Sequence, residues 1–226
     1  MKKGDFIWAA ALIMWIIVLV VPSSRTAFIS VTEAYPYMGG FVKFAILATM
    51  GDMLGERVLK GNWRVPSGVL WRAFVWGIIG MMVTLVFTVF MGGVAAAQAS
   101  GKLPFSGSVI AQAFFGSTIM NLTFGPMMMV FHRFTDTYID MRYEDESRRI
   151  TLKDMIARID WNGVVGFSWL KACPFFWIPA HTMVFLLSDQ YRVIVSAFLS
   201  IALGLLLAIA KKDKATEGEA LETVVS

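Results

Sequence analysis

Five residues able to donate, accept or carry charge stand inside stretches that are otherwise apolar: Asp52, Glu56, Asn121, Lys171 and His181. A charged group at the centre of a bilayer costs at least about 2.5 to 3.5 kcal/mol even on insertion scales, so such residues mark a partner or a pathway. Asp52 and Lys171 lie at similar distances from the corresponding ends of their apolar runs, roughly 10 to 12 Å deep at 1.5 Å per residue. Equal depth predicts an Asp52–Lys171 ion pair, with Glu56 one turn away extending it toward Arg57. The competing expectation is that Lys171 snorkels to the interface while Asp52 faces water. His181 follows Pro179 by two residues, where it would bond a freed backbone group or a neighbouring helix, or gate a path by protonation.

Other constellations are weaker. His132, Asp136, Asp140 and Glu144 recur at every fourth position and would share one helical face, a weak candidate for a divalent cation. The interleaved Arg133, Arg142, Arg148 and Arg149 supply enough counter-charge to make it an ordinary solvated face. The chain contains no serine elbow, phosphate loop, HExxH or paired-cysteine pattern, so nothing points to an enzyme or to a cofactor. A single cysteine, Cys173, excludes an intramolecular disulfide. Basic residues sit at the ends of apolar runs rather than in one patch, which argues against nucleic acid.

The elements that must position these groups are long apolar runs. Of 226 residues 57% are hydrophobic, and the runs cover 6–21, 41–59, 73–99, 109–131, 163–187 and 193–210. They predict an all-α, polytopic transmembrane bundle of about six spans, forming one domain over 1–212 and followed by a polar, disordered tail, 213–226. The first run is expected to be a retained signal anchor, since no good cleavage site follows it. Residues 23–37 read as an interfacial loop or helix. The charged stretch 132–162 must lie outside hydrocarbon, and within it Thr151 and Asp154 fit a capping box ahead of a short amphipathic inner-face helix bearing Leu152, Met155, Ile156 and Ile159 on one side. Pro126 should kink the fourth span, and Pro174 and Pro179 should distort the fifth. Small residues recur at helical spacing, as in Gly77, Gly80, Thr84 and Thr88, and predict close helix packing or the wall of a hydrated path.

Alternation of charge gives the topology. With the N-terminus inside, Lys2, Lys3, Arg57, Lys60, Arg64, Arg72, Arg133, Arg142, Arg148, Arg149, Lys153, Arg158, Lys211, Lys212 and Lys214 fall on the inner side. Only Arg25, Lys43, Lys102 and Arg192 fall outside. Basic residues accumulate on the cytoplasmic face, so both termini are expected there, in a bacterial cytoplasmic membrane, with a mitochondrial inner or peroxisomal membrane as alternatives.

Two regions carry a family resemblance. The run from Gly40 through Gly51-Asp52 to Arg57, with Arg72 beyond, and the later Trp177-Ile178-Pro179, Tyr191-Arg192 and Leu199-Ser200 resemble the Mpv-seventeen and twenty-two-kilodalton peroxisomal membrane protein family across residues 40–212. Gly51, Asp52, Arg72, Trp177, Pro179, Tyr191, Arg192 and Ser200 match its pattern. The resemblance implies a non-enzymatic membrane protein, some relatives being weakly selective pores for small solutes.

The leading expectation is a pore or transporter-like channel for small solutes or ions, lined near Asp52, Glu56, Asn121, Lys171 and His181. Its partners would be the lipid bilayer, a solute or ion, and further copies of itself in a homo-oligomer. Two other readings stand beside it: a structural or regulatory membrane protein without transport, and a lipid-acting enzyme using the His132 face.

Overall fold

The computed structural model describes residues 2–147 and 149–205, all of them in helices, turns and loops. The helices are α1 (Lys3–Val20), α2 (Pro22–Ala34), α3 (Pro36–Lys60), α4 (Val69–Ala99), α5 (Val109–Glu144) and α6 (Leu152–Arg158). A wide i→i+5 helix, π1 (Asn162–Trp177), runs directly into α7 (Ile178–Phe185), and α8 is helical from 189 to the end of the described region at 205. The expected tail at 213–226 lies outside the described residues, as do Arg148 and the end of the sixth apolar run.

Local chemistry explains the boundaries. Pro22 and Pro36 open α2 and α3 at first-turn positions where a missing N–H costs nothing. Gly61, in the left-handed region at φ 70°, ends α3. The Thr151 hydroxyl accepts from the Asp154 amide while the Asp154 carboxylate accepts from the Thr151 amide, the capping box that the spacing predicts for α6. The stretch 23–37 is mostly helix rather than loop. The helix at 109 does not stop near Phe131 but continues through His132, Asp136 and Asp140 to Glu144, because charge bars a segment from hydrocarbon without breaking its backbone hydrogen bonds.

Three helices are long and apolar enough to cross a membrane: α1, α4 and α5. That is the character of a membrane protein. The other three expected spans differ for identifiable reasons: α3 carries Lys43, Asp52, Glu56, Arg57 and Lys60, the fifth run is divided between π1 and α7, and α8 is described only to residue 205.

The core forms where α3, α4, α5, α7 and α8 meet, around Leu47, Ile79, Ala113, Val184, Phe185, Ile194 and Ala197. Backbone-to-backbone approach makes this possible. A Cβ on Gly40 would stand 2.6 Å from the Gly80 carbonyl oxygen, and one on Gly80 would collide with that of Gly40, so α3 and α4 touch through bare peptide. Farther along, a Cβ on Gly51 would lie 3.1 Å from the Ile201 Cα, and Gly204 is as close to the Gly51 carbonyl. Gly80, from the row of small residues on α4, therefore lies at a close helix contact, as do Gly51 and Gly204.

α1 buries no residue fully and is tied on at one end. Asp5 receives Arg57 Nε at 3.0 Å and Trp63 Nε1 at 2.6 Å, Lys2 Nζ donates to the Gly61 carbonyl at 2.8 Å, and Trp8 Nε1 donates to the Met50 carbonyl at 3.0 Å. Its start thus lies beside the end of α3, and the chain direction reverses between them.

Because the α3–α4 crossing has no room for a methyl group, Gly80→Ala should lower the unfolding midpoint of the detergent-purified protein by the equivalent of about 1 to 3 kcal/mol. Gly92→Ala, where an added Cβ meets nothing within 4 Å, should leave it unchanged. Equal effects would rule out the close crossing.

Candidate solute path

One stripe of α4, Arg72, Trp76, Ile79, Val83 and Phe87, recurs at three- and four-residue steps and faces α5 and the interior. Along α5 the matching stripe is Asn121, Gly125, Met128, His132, Asp136 and Asp140. Between the two lie three successive environments.

Deepest is a neutral polar knot. Asn121 and His181 are both buried, at 4% and 8% exposure. Asn121 Nδ2 donates to the Ser117 carbonyl at 2.8 Å, which turns Oδ1 toward His181 Nδ1 at 3.2 Å. An amide oxygen only accepts, so neutral His181 carries its proton on Nδ1 and leaves Nε2 as an acceptor. Ser117 Oγ donates to the Ile178 carbonyl at 2.7 Å, binding α5 to the start of α7 a second time. The imidazole stacks on Trp177 at 5.1 Å and meets Phe87 edge-on at 5.6 Å. His181 thus makes the expected contact with a neighbouring helix.

Beside this knot is a cavity of about 60 Å³, lined by Asn121, Trp177, His181, Ser196 and Ser200 among apolar neighbours. That is room for a few water molecules. Ser196 Oγ and Trp177 Nε1 are buried there without a protein partner. Since a buried polar atom left unbonded costs about 1 to 3 kcal/mol, the cavity supplies their partners when it holds water or a polar ligand.

Toward the α6 end the cavity is closed by Trp76, whose ring lies 4.2 Å from His132 and 6.5 Å from Phe44. Trp76 Nε1 donates to Asp52 Oδ2 at 2.7 Å. Behind it Arg72 bonds Asp136 at 3.0 Å and also Asp140, while His132 Nδ1 stands 3.6 Å from Asp136. Toward the α2 end Phe87 separates the cavity from a vestibule of about 590 Å³ lined by Lys43, Thr84, Thr88, Gln112, Phe185 and Arg192, and Phe87 packs on Phe185 at 4.9 Å.

The expected Asp52–Lys171 pair is absent. Asp52 is held by Trp76, and Lys171 is exposed on π1 without an ion pair. Depth alone made the pair plausible, but the two helices present these residues in different directions. Glu56 pairs with Lys60 on its own helix and does not extend toward Asp52. The candidate cation face at His132, Asp136 and Asp140 is occupied by Arg72, and among the described residues no group of three His, Cys, Asp or Glu side chains is arranged to hold a metal.

Of the resemblance residues, Gly51 packs on α8, Asp52 accepts from Trp76, Arg72 pairs with Asp136 and Asp140, Trp177 stacks on His181, and Ser200 lines the cavity. Arg192 Nε and Nη2 bond the Leu187 and Phe185 carbonyls at the end of α7, and its Nη1 pairs with Asp189 at 2.6 Å. Pro179 is exposed, and Tyr191 sits in the first turn of α8. Sequence reasoning missed Trp76 and Phe87 as cavity-lining residues, whereas Ser196 and Ser200 stand in one of the rows of small residues that it read as close packing or the wall of a hydrated path. The signal for Trp76 and Phe87 was their register with Arg72, Ile79 and Val83.

Comparison with protein-family models, curated proteins and solved structures finds no match for this chain.

The Asn121–His181 bond should be measurable as coupling. Asn121→Leu and His181→Leu should each cost about 1 to 3 kcal/mol by leaving the other group buried and unbonded. The double variant should fall short of their sum by more than the 0.5 kcal/mol or so expected of independent sites. Additive losses in reversible mixed-micelle unfolding would contradict the contact.

Proposed function

We propose that this is an integral membrane protein of six spans that passes a small solute or ion through the centre of its bundle. The observation that carries the proposal is the polar-lined cavity beside Asn121 and His181, closed by Phe87 on one side and Trp76 on the other. A core built only for stability would fill that space with side chains, because an interior of native density leaves few voids larger than water. Here a cavity with unbonded Ser196 and Trp177 groups lies in line with a vestibule at one end and a charged cluster at the other. An opening and closing path needs such an arrangement, with aromatic groups at both closures.

Surface chemistry supports the bilayer placement. Ile7, Val20, Leu70, Phe175 and Met183 are all more than 60% exposed, a distribution that suits lipid contact. The positive-inside rule then sets both termini and α6 on the cytoplasmic side, with a bacterial cytoplasmic membrane as the preferred location. Leu152 and Ile156 of α6 are exposed and would meet the membrane surface. The Mpv-seventeen resemblance favours the same function. A purely structural role is supported by Arg72, Asp136 and Asp140, which pair with one another completely enough to serve as a clasp between α4 and α5. The lipid-enzyme reading would use the His132 face, where Arg72 pairs with Asp136 and Asp140.

Protein reconstituted into liposomes should release a trapped small solute faster than empty vesicles. Phe87→Ala should raise that rate several-fold by opening the cavity to the vestibule, whereas Ile7→Ala on the exposed face of α1 should not. Release no faster than from empty liposomes, for wild type and Phe87→Ala alike, would remove the transport reading.

A further inference from the structure

Among the described residues, Lys43 is the only lysine, arginine or acidic residue that is fully buried, at 3% exposure. Its Nζ donates to Thr32 Oγ1 at 3.0 Å and lies 4.7 Å from the centre of the Phe28 ring. No carboxylate reaches it. An ammonium has three N–H bonds and needs a counter-charge when removed from water, so one hydroxyl and one aromatic face leave it incompletely satisfied. A lysine so placed within a membrane bundle points to function, because a structural role would be filled more stably by methionine or leucine.

Two cavities adjoin it. Lys43 and Thr32 line both the vestibule and a groove of about 570 Å³ between α1, α2 and α3 whose other walls include Trp15, Phe28, Val31 and Val42. On the vestibule side Thr84, Thr88 and Gln112 add hydrogen-bonding groups, while Phe87, Phe185 and Met91 add apolar wall. The second cation there, Arg192, is committed to Asp189 and two carbonyls. Glu33 is exposed at the rim and makes no ion pair with Lys43. The buried charge without a carboxylate partner is therefore a single positive one, set among hydroxyls and carbon surfaces, with the exposed Glu33 carboxylate at the rim. That combination suits one negative charge on a carbon body. A divalent anion would leave a charge unmatched and would be repelled by Glu33.

We propose that Lys43 anchors an anion-binding site at the α2 end of the bundle and that its ligand is a small organic monocarboxylate. The proposal rests on the reading of the vestibule as the entrance to the path, and it names the class of solute that would enter. Thr32 is a positioning residue, since it holds the ammonium that contacts the ligand.

Thermal unfolding of the detergent-purified full chain, titrated with sodium butyrate, butyramide or sodium chloride at constant ionic strength, tests the site. Butyrate should raise the midpoint saturably, and butyramide and chloride should not. Lys43→Met should weaken the half-saturating concentration about tenfold or more, the equivalent of one charge-assisted hydrogen bond, and Lys43→Arg should retain most of the response. Glu33→Gln should tighten binding. If Lys43→Met does not fold, Thr32→Val should still weaken the response. Equal stabilisation by butyrate and butyramide, or a butyrate response unaltered in Lys43→Met and Thr32→Val, would overturn the proposal. Liposome release separates this outcome from failure of the transport reading: butyrate binding without flux keeps the site and removes transport, whereas flux without butyrate binding removes the site and keeps transport.

Discussion

A polar group buried in an apolar bundle must find its partner within the protein, and in this molecule that requirement is met at the contact between Asn121 and His181. Asn121 is oriented by the backbone of its own helix, through the Ser117 carbonyl. His181 has no such local support. It is fixed from outside, by Asn121, by the Trp177 ring stacked against it and by Phe87 and Phe185. The direction in which α7 leaves π1 therefore depends on α5, and Ser117 reinforces this by bonding the Ile178 carbonyl.

The wide turn of π1 belongs to the same arrangement. Pro174 lies inside it, and proline both lacks an N–H and crowds the preceding turn, so a regular α-helical ladder cannot continue through it unbroken. Spacing the ladder to i→i+5 accommodates the ring, and the Ile178 amide accordingly bonds the Cys173 carbonyl. A helix of this kind is uncommon and tends to occur where function requires an altered side-chain register. Here the change from π1 to α7 falls beside Trp177, at the wall of the cavity. On the opposite wall the glycine contact of α3 with α4 draws Trp76 close enough to Asp52 for a 2.7 Å hydrogen bond. The cavity persists because both walls are held by specific contacts rather than by general apolar packing.

Much of this was legible from the residues. Apolar runs locate the helices, glycine rows locate the α3–α4 and α3–α8 contacts, and Thr151 with Asp154 locates α6. Asn121 and His181 stand out because polar side chains are costly in such runs. The pairings were less legible. Distance from a helix end gives depth but no azimuth, so Asp52 and Lys171 match in depth while Lys171 points outward from π1. Trp76 escaped notice because an indole counts as apolar although its N–H is a strong donor. Lys43 counts in the sequence as one more basic residue near the end of a run. Only the packing of α2 across it, bringing Thr32 and Phe28 to its ammonium, makes it a buried charge.

Transport as proposed requires that the space between Phe87 and Trp76 be a closed chamber that connects, on opening, to the α2 end. Cysteine labelling addresses it directly, since Cys173 is the chain's single cysteine and can be replaced by alanine. In that background Ser196→Cys places a thiol in the cavity wall. The rate of its reaction with a small water-soluble methanethiosulfonate should be slow with Phe87 intact and should rise about tenfold or more with Phe87→Ala, the equivalent of removing about 1.4 kcal/mol of barrier. A thiol that stays equally inert after Phe87→Ala would contradict the chamber and the path drawn through it.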